Sequence, residues 1–275
     1  MPIYQAIVLG IIQGLTEFLP VSSSAHLALA PWLFGWKDQG LAFDIAMHFG
    51  TLVSVLLFFI RDWVQIIGQA FGLRIGNDPF LRDRPKMLWY LMAASIPAGL
   101  AGLLLEKKIE TTFRSAYVIG VMAIVIGLVM LLAEFFGAKL KHIGTLSFMD
   151  TMTMGIAQAL AVIPGTSRSG VTMAAGLFRD LDRGTAARVS FLMSTPIIAG
   201  AALHKAWDLH KEGGLPAEMR EPFIVGTIVS AVTGALVIGL FLRYLRASGL
   251  QPFVAYRILF GIAVIALAMF RGFQG

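Results

Sequence analysis

"QGLTEFLPVSSSAH", residues 13 to 26, interrupts the apolar stretch 3–34 with a proline and three consecutive serines. A second apolar stretch, residues 147–178, is interrupted in the same way by "VIPGTSRSGVT", residues 162 to 172. At membrane depth, irregular backbone is tolerated only where protein covers it or where it lines a wet cavity. If the chain lies in a membrane, the two interruptions therefore predict a polar pocket.

The composition is that of an integral membrane protein. Of the 275 residues, 57% are hydrophobic and 14% are charged, and the mean hydropathy is +0.78; about 25% of residues are charged in soluble domains. The absence of cysteine excludes disulfides, thiolate nucleophiles and thiolate metal sites. The net charge of +6 lies mostly in short loops, so the expected partners are the anionic headgroups of a lipid bilayer, not nucleic acid.

Six apolar runs are long enough to cross about 30 Å of hydrocarbon, which takes about 20 helical residues. They cover residues 43–60, 87–105, 116–136, 186–203, 223–242 and 253–270. With six crossings, one side holds more Lys and Arg than the other, and we expect that side to be cytoplasmic. The opposite side, which holds Arg114 and Lys205, is then the outer side.

The two interrupted stretches resemble one another, which predicts an internal repeat. Three apolar runs follow each copy, so the single membrane domain 1–275 divides into halves 1–146 and 147–275. Chance similarity of composition is the alternative. The matching pairs are Gly10/Gly155, Ile11/Ile156, Gln13/Gln158 and Leu15/Leu160, and after a one-residue shift Pro20/Pro164, Ser22/Thr166 and Ser23/Ser167.

Three crossings between the copies place them on opposite sides of the membrane, provided that each interrupted stretch enters and leaves on one side. The expected fold is an all-α integral membrane protein with an inverted-topology repeat, six transmembrane helices and two re-entrant helical hairpins. In transporters of this design the binding site lies where the broken helices meet. Alternatively, Pro20 and Pro164 only kink two complete spans, which gives eight crossings.

The second interruption has the chemistry of an anion site. Hydroxyl caps and free backbone amides at a helix start favour anions, and the planar fork of Arg168 suits phosphate oxygens. Two structural alternatives stay open: an ion pair between Arg168 and Glu17, and close helix packing through small residues. The hydroxyl and glycine residues of this segment are Gly165, Thr166, Ser167, Ser169, Gly170 and Thr172.

The first interruption supplies complementary groups. Gln13 and Glu17 are four residues apart and share one face of a helix. Glu17 could hold a divalent cation or act as acid or base, and a serine or His26 could be the nucleophile; a structural hydrogen bond is the alternative for His26. Together, the two interruptions hold the groups that phosphoryl transfer needs. The hydroxyl groups are those of Ser22, Ser23 and Ser24.

At these residues the chain resembles the BacA-type undecaprenyl-pyrophosphate phosphatases, a family of bacterial membrane enzymes that recycle the lipid carrier of cell-wall synthesis. The family motifs [E/Q]-G-x-T-E-F-L-P-[IV]-S-S-[ST]-[GA]-H and P-G-x-S-R-S-G-x-T appear as "QGLTEFLPVSSSAH" and "PGTSRSGVT". The likeness continues through "FDIAMHFGTLVSVLLFF" (43 to 59) and the tail "FVAYRILFGI" (253 to 262), so it covers nearly the whole chain.

The resemblance implies a multi-pass enzyme of the bacterial cytoplasmic membrane that hydrolyses a polyprenyl pyrophosphate lipid and confers bacitracin resistance. It implies catalytic roles for Glu17, Ser23, His26 and Arg168, with Mg²⁺ or Ca²⁺ bound at Glu17. Gln13 stands where some members carry glutamate. A homodimer is left open. The implied substrate-binding residues are Gln13, Ser22, Gly165, Thr166, Ser167, Ser169, Gly170 and Thr172.

A lipid flippase is the competing hypothesis, because inverted repeats with broken helices often serve transport and an anion pocket could carry a lipid phosphate without breaking a bond. Three further polar residues lie at or near the ends of apolar runs, and we interpret them as structural. They are His48, Glu134 and Arg257.

Overall fold

The computed structural model describes residues 1–110, 112–211 and 214–271. Within these ranges the regular structure is helical, apart from one isolated bridge between Lys141 and Leu181. The expected all-α fold is therefore confirmed. The α-helices are α1 Ile3–Phe18, α2 Ser23–Phe34, α3 Gly40–Phe58, α4 Ile60–Ala70, α5 Met87–Glu110, α6 Ala116–Phe136, α7 Phe148–Ala159, α8 Arg168–Phe178, α9 Arg183–Lys211, α10 Ala217–Leu245 and α11 Gln251–Arg271.

Five helices of the described chain, α5, α6, α9, α10 and α11, are long and apolar enough to cross a membrane. The remaining predicted span, residues 43–60, forms α3, which a 74° bend separates from α4. The bend falls at Phe59, and the charged residues Arg61 and Asp62 follow it. The protein is thus a multi-pass membrane protein, with five candidate spans in the described chain, or six if α3 and α4 count as one.

The two interrupted stretches form two pairs of short helices, α1 with α2 and α7 with α8. At 1.5 Å per residue, the 12 residues of α2 and the 11 of α8 reach only about 16–18 Å, less than a hydrocarbon core. Tyr4 in the first turn of α1 contacts Trp36, just after α2, with ring centroids 5.8 Å apart. The chain therefore returns after α2 to the end of the molecule at which α1 begins.

The α7–α8 pair returns to its starting point in the same way. The backbone amide of Lys141, before α7, donates to the carbonyl of Asp180, after α8, at 2.8 Å. The amide of Asp182 donates back to the carbonyl of Lys141 at 2.8 Å. These bonds join the segment that enters α7 to the segment that leaves α8.

Each turn between paired helices ends in a serine with unusual backbone geometry. Ser22 precedes α2 with φ 78°, and Ser167 precedes α8 with φ 68°; such positive φ values cost of order 1–3 kcal/mol and persist only where the surroundings enforce them. The caps pair Ser22 with Ser167, so the one-residue shift that pairs Ser23 with Ser167 is wrong here. A 3₁₀ turn, Leu160–Val162, follows α7 and moves the proline relative to the cap.

The first helix of each pair packs closely on a span from the other half of the sequence. A Cβ added at Gly14 of α1 would lie 2.8 Å from the amide nitrogen of Gly234 in α10. A Cβ added at Gly155 of α7 would meet the carbonyl oxygen of Ala94 in α5. Small residues permit such close approach of helices in lipid, and the crossed packing brings the two turns together.

Candidate active site

A cavity of about 520 Å³ lies between the two turns and helices α3, α5 and α9. Its walls on α5 and α9 are largely apolar, with small residues such as Gly102 and Gly200. Its lining suits a ligand with a polar head and an apolar body. The polar lining residues are Glu17, Ser22, Ser23, Ser24, Asp44, His48, Arg114, Gln158, Ser167, Arg168, His204 and Lys205.

Glu17, in the last turn of α1, is the centre of the polar groups. It is 5% exposed, and four side chains contact its carboxylate. Oε1 accepts from Nη2 of Arg168 at 2.7 Å. Oε2 accepts from Ser23 Oγ at 2.6 Å and from Gln13 Nε2 at 3.1 Å. Burial of a carboxylate requires such partners, and here they come from both interrupted stretches.

Ser23, the first residue of α2, donates its hydroxyl hydrogen to Glu17 and lines the cavity. It is 8% exposed, so a reactant reaches its side chain mainly through the cavity. A serine hydroxyl bonded to a carboxylate is the arrangement by which a general base activates a nucleophile. The structure thus brings together Ser23 and Glu17, as the sequence predicts.

Arg168, the first residue of α8, both pairs with Glu17 and lines the cavity. Its Nη1 donates to the carbonyl of Ser190 in α9 at 2.9 Å, which fixes the plane of the guanidinium. The ion pair offered above as the structural alternative is therefore present. It does not remove Arg168 from the cavity, where its remaining N–H groups suit an anionic ligand.

His48 of α3 lies in the site, although its position in the sequence predicts a structural role. Its Nε2 lies 3.3 Å from Glu17 Oε2, and its Nδ1 lies 2.7 Å from the carbonyl oxygen of Asp44. A ring nitrogen that donates to a backbone carbonyl fixes the ring orientation. The local sequence carries a weak signal, since Asp44 and His48 are four residues apart on one face of a largely apolar helix.

His26 lies on the opposite side of α2 and is not among the residues that line the cavity. One ring nitrogen lies 2.7 Å from the carbonyl oxygen of Ser22, and the other lies 2.6 Å from the hydroxyl of Tyr256 in α11. The ring also stacks on Phe260 with centroids 4.6 Å apart. The structure therefore does not bring His26 together with Glu17 and Ser23, because the position three residues after Ser23 turns toward α11.

The remaining predicted residues mostly build the two turns. Gly165, at φ +93°, donates its amide to Ser22 Oγ at 3.1 Å, which joins the turns directly. The Ser167 hydroxyl accepts from the Gly170 amide at 3.1 Å and caps α8. Ser22 and Ser167 line the cavity. Residues outside its lining are Gln13, Gly165, Thr166, Ser169, Gly170 and Thr172.

Ser169 and Thr172 tie α8 to its neighbours. Ser169 Oγ donates to the carbonyl of Leu19 at 3.1 Å, and Thr172 Oγ1 lies 2.6 Å from Ser190 Oγ. Thr166 is fully buried, and its hydroxyl has no hydrogen-bond partner within the described ranges. These contacts hold Arg168 in place through the helix that carries it.

Arg257 of α11 clamps the two turns, a structural role of the kind that the sequence predicts. It is fully buried. Its guanidinium donates to the carbonyls of Gly165 at 2.7 Å, Thr166 at 3.0 Å and Pro20 at 3.2 Å. Two further bonds reach the carbonyls of Met122 and Ala123 in α6. One cationic side chain thus holds both turns against α6 and α11.

Arg114 lies beside another part of the cavity, in a short 3₁₀ turn before α6. It donates to Asp44 and to Asp38, each at 2.9 Å. Partial burial alone would lower the pKa of Arg114, but the two carboxylates outweigh burial and raise its pKa above the usual value. This part of the cavity is therefore lined by a permanent cation paired with carboxylates.

The predicted cation at Glu17 can be compared with the groups that surround it. Both carboxylate oxygens already accept hydrogen bonds or ion pairs. In the described part of the chain, no three His, Cys, Asp or Glu side chains are grouped to hold a metal ion. Mg²⁺ and Ca²⁺ require several oxygen ligands. The side chains as arranged do not fit a metal ion held by the protein alone.

Comparison with known proteins identifies the family of this chain. The family model "Bacitracin resistance protein BacA" matches residues 6–263. A protein of Pelotomaculum thermopropionicum named undecaprenyl-diphosphatase is 46% identical over 273 residues, covering 99% of both chains. Proteins of the same name from Desulforudis audaxviator, 45% identical over 98% of this chain and 99% of the relative, and from Geobacter sulfurreducens, 44% identical over 98% and 100%, also match. The chain belongs to the BacA family.

Proposed function

We propose that this protein hydrolyses undecaprenyl diphosphate to undecaprenyl phosphate and inorganic phosphate, and so recycles the lipid carrier of cell-wall synthesis. One observation carries the proposal: Ser23, Glu17 and Arg168 meet at a cavity with largely apolar walls. The relatives named above are diphosphatases, and they lend no support to the flippase hypothesis.

The chain's own residues provide the nucleophile, the base and the anion-binding group of a phosphoserine route. Arg168 binds the diphosphate and orients the terminal phosphoryl group, as a planar donor fork does. Ser23 Oγ attacks the terminal phosphorus while its proton passes to Glu17, 2.6 Å away. The bond from that phosphorus to the bridging oxygen breaks, and undecaprenyl phosphate leaves with the electron pair.

Hydrolysis of the phosphoserine completes the reaction. Water attacks the phosphorus, Ser23 Oγ leaves and takes back the proton from Glu17, and both hydrogens of the water stay with inorganic phosphate. His48 contacts the same oxygen of Glu17 that accepts from Ser23 and holds the carboxylate in the orientation for proton transfer. We favour Ser23 over His26 as nucleophile because both ring nitrogens of His26 are bonded away from the cavity.

A requirement for Mg²⁺ or Ca²⁺ is part of the proposal. Since the side chains alone do not offer a full set of oxygen ligands, we expect the diphosphate to supply most of them, as substrate phosphates commonly do for Mg²⁺. When bound, the ion would neutralise phosphate charge. Removal by EDTA should then stop turnover without unfolding the protein.

We also propose that the fold is an inverted repeat of residues 1–146 and 147–275 with two re-entrant hairpins. The paired ends of α1–α2 and of α7–α8 support re-entry. The matched caps Ser22 and Ser167, and the crossed packing of α1 on α10 and α7 on α5, support the repeat. Cysteine scanning of this cysteine-free chain with an impermeant thiol reagent tests it: residues 35–39 and residues 142–147 should react from opposite sides.

The cavity is proposed to open to the outer side of the bacterial cytoplasmic membrane. Arg114 and Lys205 line it, and both belong to the side on which Lys and Arg are fewer. A cysteine at position 205 should therefore react with an impermeant reagent in intact cells. Reaction only in inverted vesicles would reverse the orientation.

The experiment that tests the activity is phosphate release from farnesyl or undecaprenyl diphosphate by purified protein in detergent, with and without EDTA. Glu17→Ala, Arg168→Ala and Ser23→Ala are compared with wild type, each checked for folding by thermal unfolding. We expect cation-dependent release that all three variants lose. Absence of release from any prenyl diphosphate by folded wild type would refute the proposal, and near-normal turnover by Ser23→Ala would refute the phosphoserine route.

A further inference from the structure

The last turn of α7 carries a buried amide that the reaction described above does not use. Gln158 is 1% exposed and lines the cavity. Within the described ranges, neither its Oε1 nor its Nε2 has a hydrogen-bond partner. Leaving a buried polar group unpaired lowers stability, and buried polar side chains in native proteins nearly always have a partner. The cavity is the place from which a partner can come.

Gln13 shows what is missing at Gln158. The two glutamines occupy matching positions in the two interrupted stretches. Gln13 Nε2 donates to the carboxylate of Glu17, four residues later, at 3.1 Å. Four residues after Gln158 stands Val162, which also lines the cavity and offers no acceptor. The second half thus keeps the amide donor and lacks its anionic acceptor.

An anionic acceptor of the right chemistry enters the cavity with the substrate. The lining of the cavity also includes Ala161, Val162 and Ile198, and a hydrogen bond made in such apolar surroundings is strengthened by low polarity. A neutral amide supplies a donor in such surroundings without the cost of burying a further charge. Arg168 and Gln158 both belong to the lining of one cavity.

We propose that Gln158 is a further substrate-binding residue, whose Nε2 donates a hydrogen bond to an oxygen of the diphosphate. The inference rests on the proposed diphosphatase activity and extends its binding site to α7. Arg168 supplies the charge that attracts the diphosphate, and Gln158 fixes its position from the other side of the second turn. Water that enters with the headgroup satisfies Oε1.

Gln158→Met tests the proposal, because methionine keeps the length and flexibility of the side chain and removes the amide. We expect KM for farnesyl diphosphate to rise at least tenfold, or about 1.4 kcal/mol, with kcat within threefold of wild type. The melting temperature of the substrate-free protein should stay equal or rise, since an unpaired buried amide is removed. If Gln158 had a purely structural role, its replacement by methionine would lower stability and leave KM unchanged.

Thr195→Val is the matched control. The Thr195 hydroxyl is also buried without a partner in the described chain, but Thr195 does not line the cavity. Its replacement should leave KM unchanged. Gln158→Asn serves as the second variant, because it keeps the amide on a side chain that is one methylene shorter. KM should again rise.

The outcomes separate the two proposals. If wild type releases no phosphate from farnesyl diphosphate, the proposed function fails irrespective of Gln158. If wild type is active and either folded Gln158 variant keeps KM within twofold, the substrate-binding role is overturned. A rise in KM in both Gln158 variants, with none in Thr195→Val, supports it.

Discussion

Replacement of Arg257 by lysine should cost far more than a conservative change normally does. Three of its hydrogen bonds go to carbonyls in the turns, those of Pro20, Gly165 and Thr166. A lysine ammonium keeps the charge, but it cannot reproduce the fork that spans both turns. Each such bond from a charged donor contributes about 1.5–3 kcal/mol, so loss of two of the three lowers the free energy of unfolding by about 3–6 kcal/mol.

Loss of these hydrogen bonds should also displace the reacting groups. The turn held through Gly165 and Thr166 leads directly into Ser167 and Arg168. A displacement of about 1 Å in a positioned catalytic group costs about 100-fold in rate. We therefore expect Arg257→Lys to fold with a lowered melting temperature and with kcat reduced about 100-fold.

The assay is phosphate release from farnesyl diphosphate alongside thermal unfolding in detergent. Arg243→Lys is the control, since Arg243 is exposed in the last turn of α10 and should tolerate the change. Activity of Arg257→Lys within threefold of wild type, at unchanged stability, would refute the role of Arg257 as a clamp.

Four further predictions use the same assay. Arg168→Lys should lower kcat/KM more than 100-fold, because a point charge loses the fork; retention of a tenth of the activity would contradict this. His48→Ala should lower kcat about 10- to 100-fold with a smaller change in KM, and an unchanged kcat would leave the residue a structural role. Tyr256→Phe removes the hydroxyl bonded to His26 and should cost about 1 kcal/mol of stability with kcat within threefold; a large loss of kcat at full stability would return His26 to the chemistry. Gly102→Leu, where an added Cβ meets nothing within 4 Å, should narrow the cavity and raise KM about tenfold without loss of stability; an unchanged KM would place the prenyl chain elsewhere.

Much of the site follows from local sequence because each interrupted stretch concentrates its chemistry within a few residues. Glu17, Ser23 and Arg168 are polar groups beside prolines in apolar surroundings, and the cost of burying them in lipid implies a common pocket. Their meeting at 2.6 and 2.7 Å bears out that implication. The positions of the spans follow from hydropathy in the same way, with the bend after α3 as the departure.

Local sequence does not indicate contacts between residues that lie far apart in the chain. Nothing beside His48 indicates that it faces Glu17, and nothing beside Arg257 indicates that its acceptors are carbonyls of two distant turns. For His26, local sequence suggests a contact that the structure does not contain. His26 lies near Ser23 in sequence, but the first turn of α2 directs it toward α11. The rotation of a helix about its own axis decides which neighbour each side chain faces, and short sequence motifs do not specify that rotation.

The crossed packing of the helices also sets an order of events during biosynthesis. Helix α1 ends at residue 18, and α10, along which it packs, begins at residue 217. The ribosome must therefore add about 200 residues before the first hairpin meets its partner, and contacts so distant in sequence form late. Until then its glycine-lined face and its polar turn must be covered by something else, either lipid or a membrane chaperone. Fragments 1–146 and 147–275, made separately, should consequently be unstable alone and regain activity only when they are produced in the same cell.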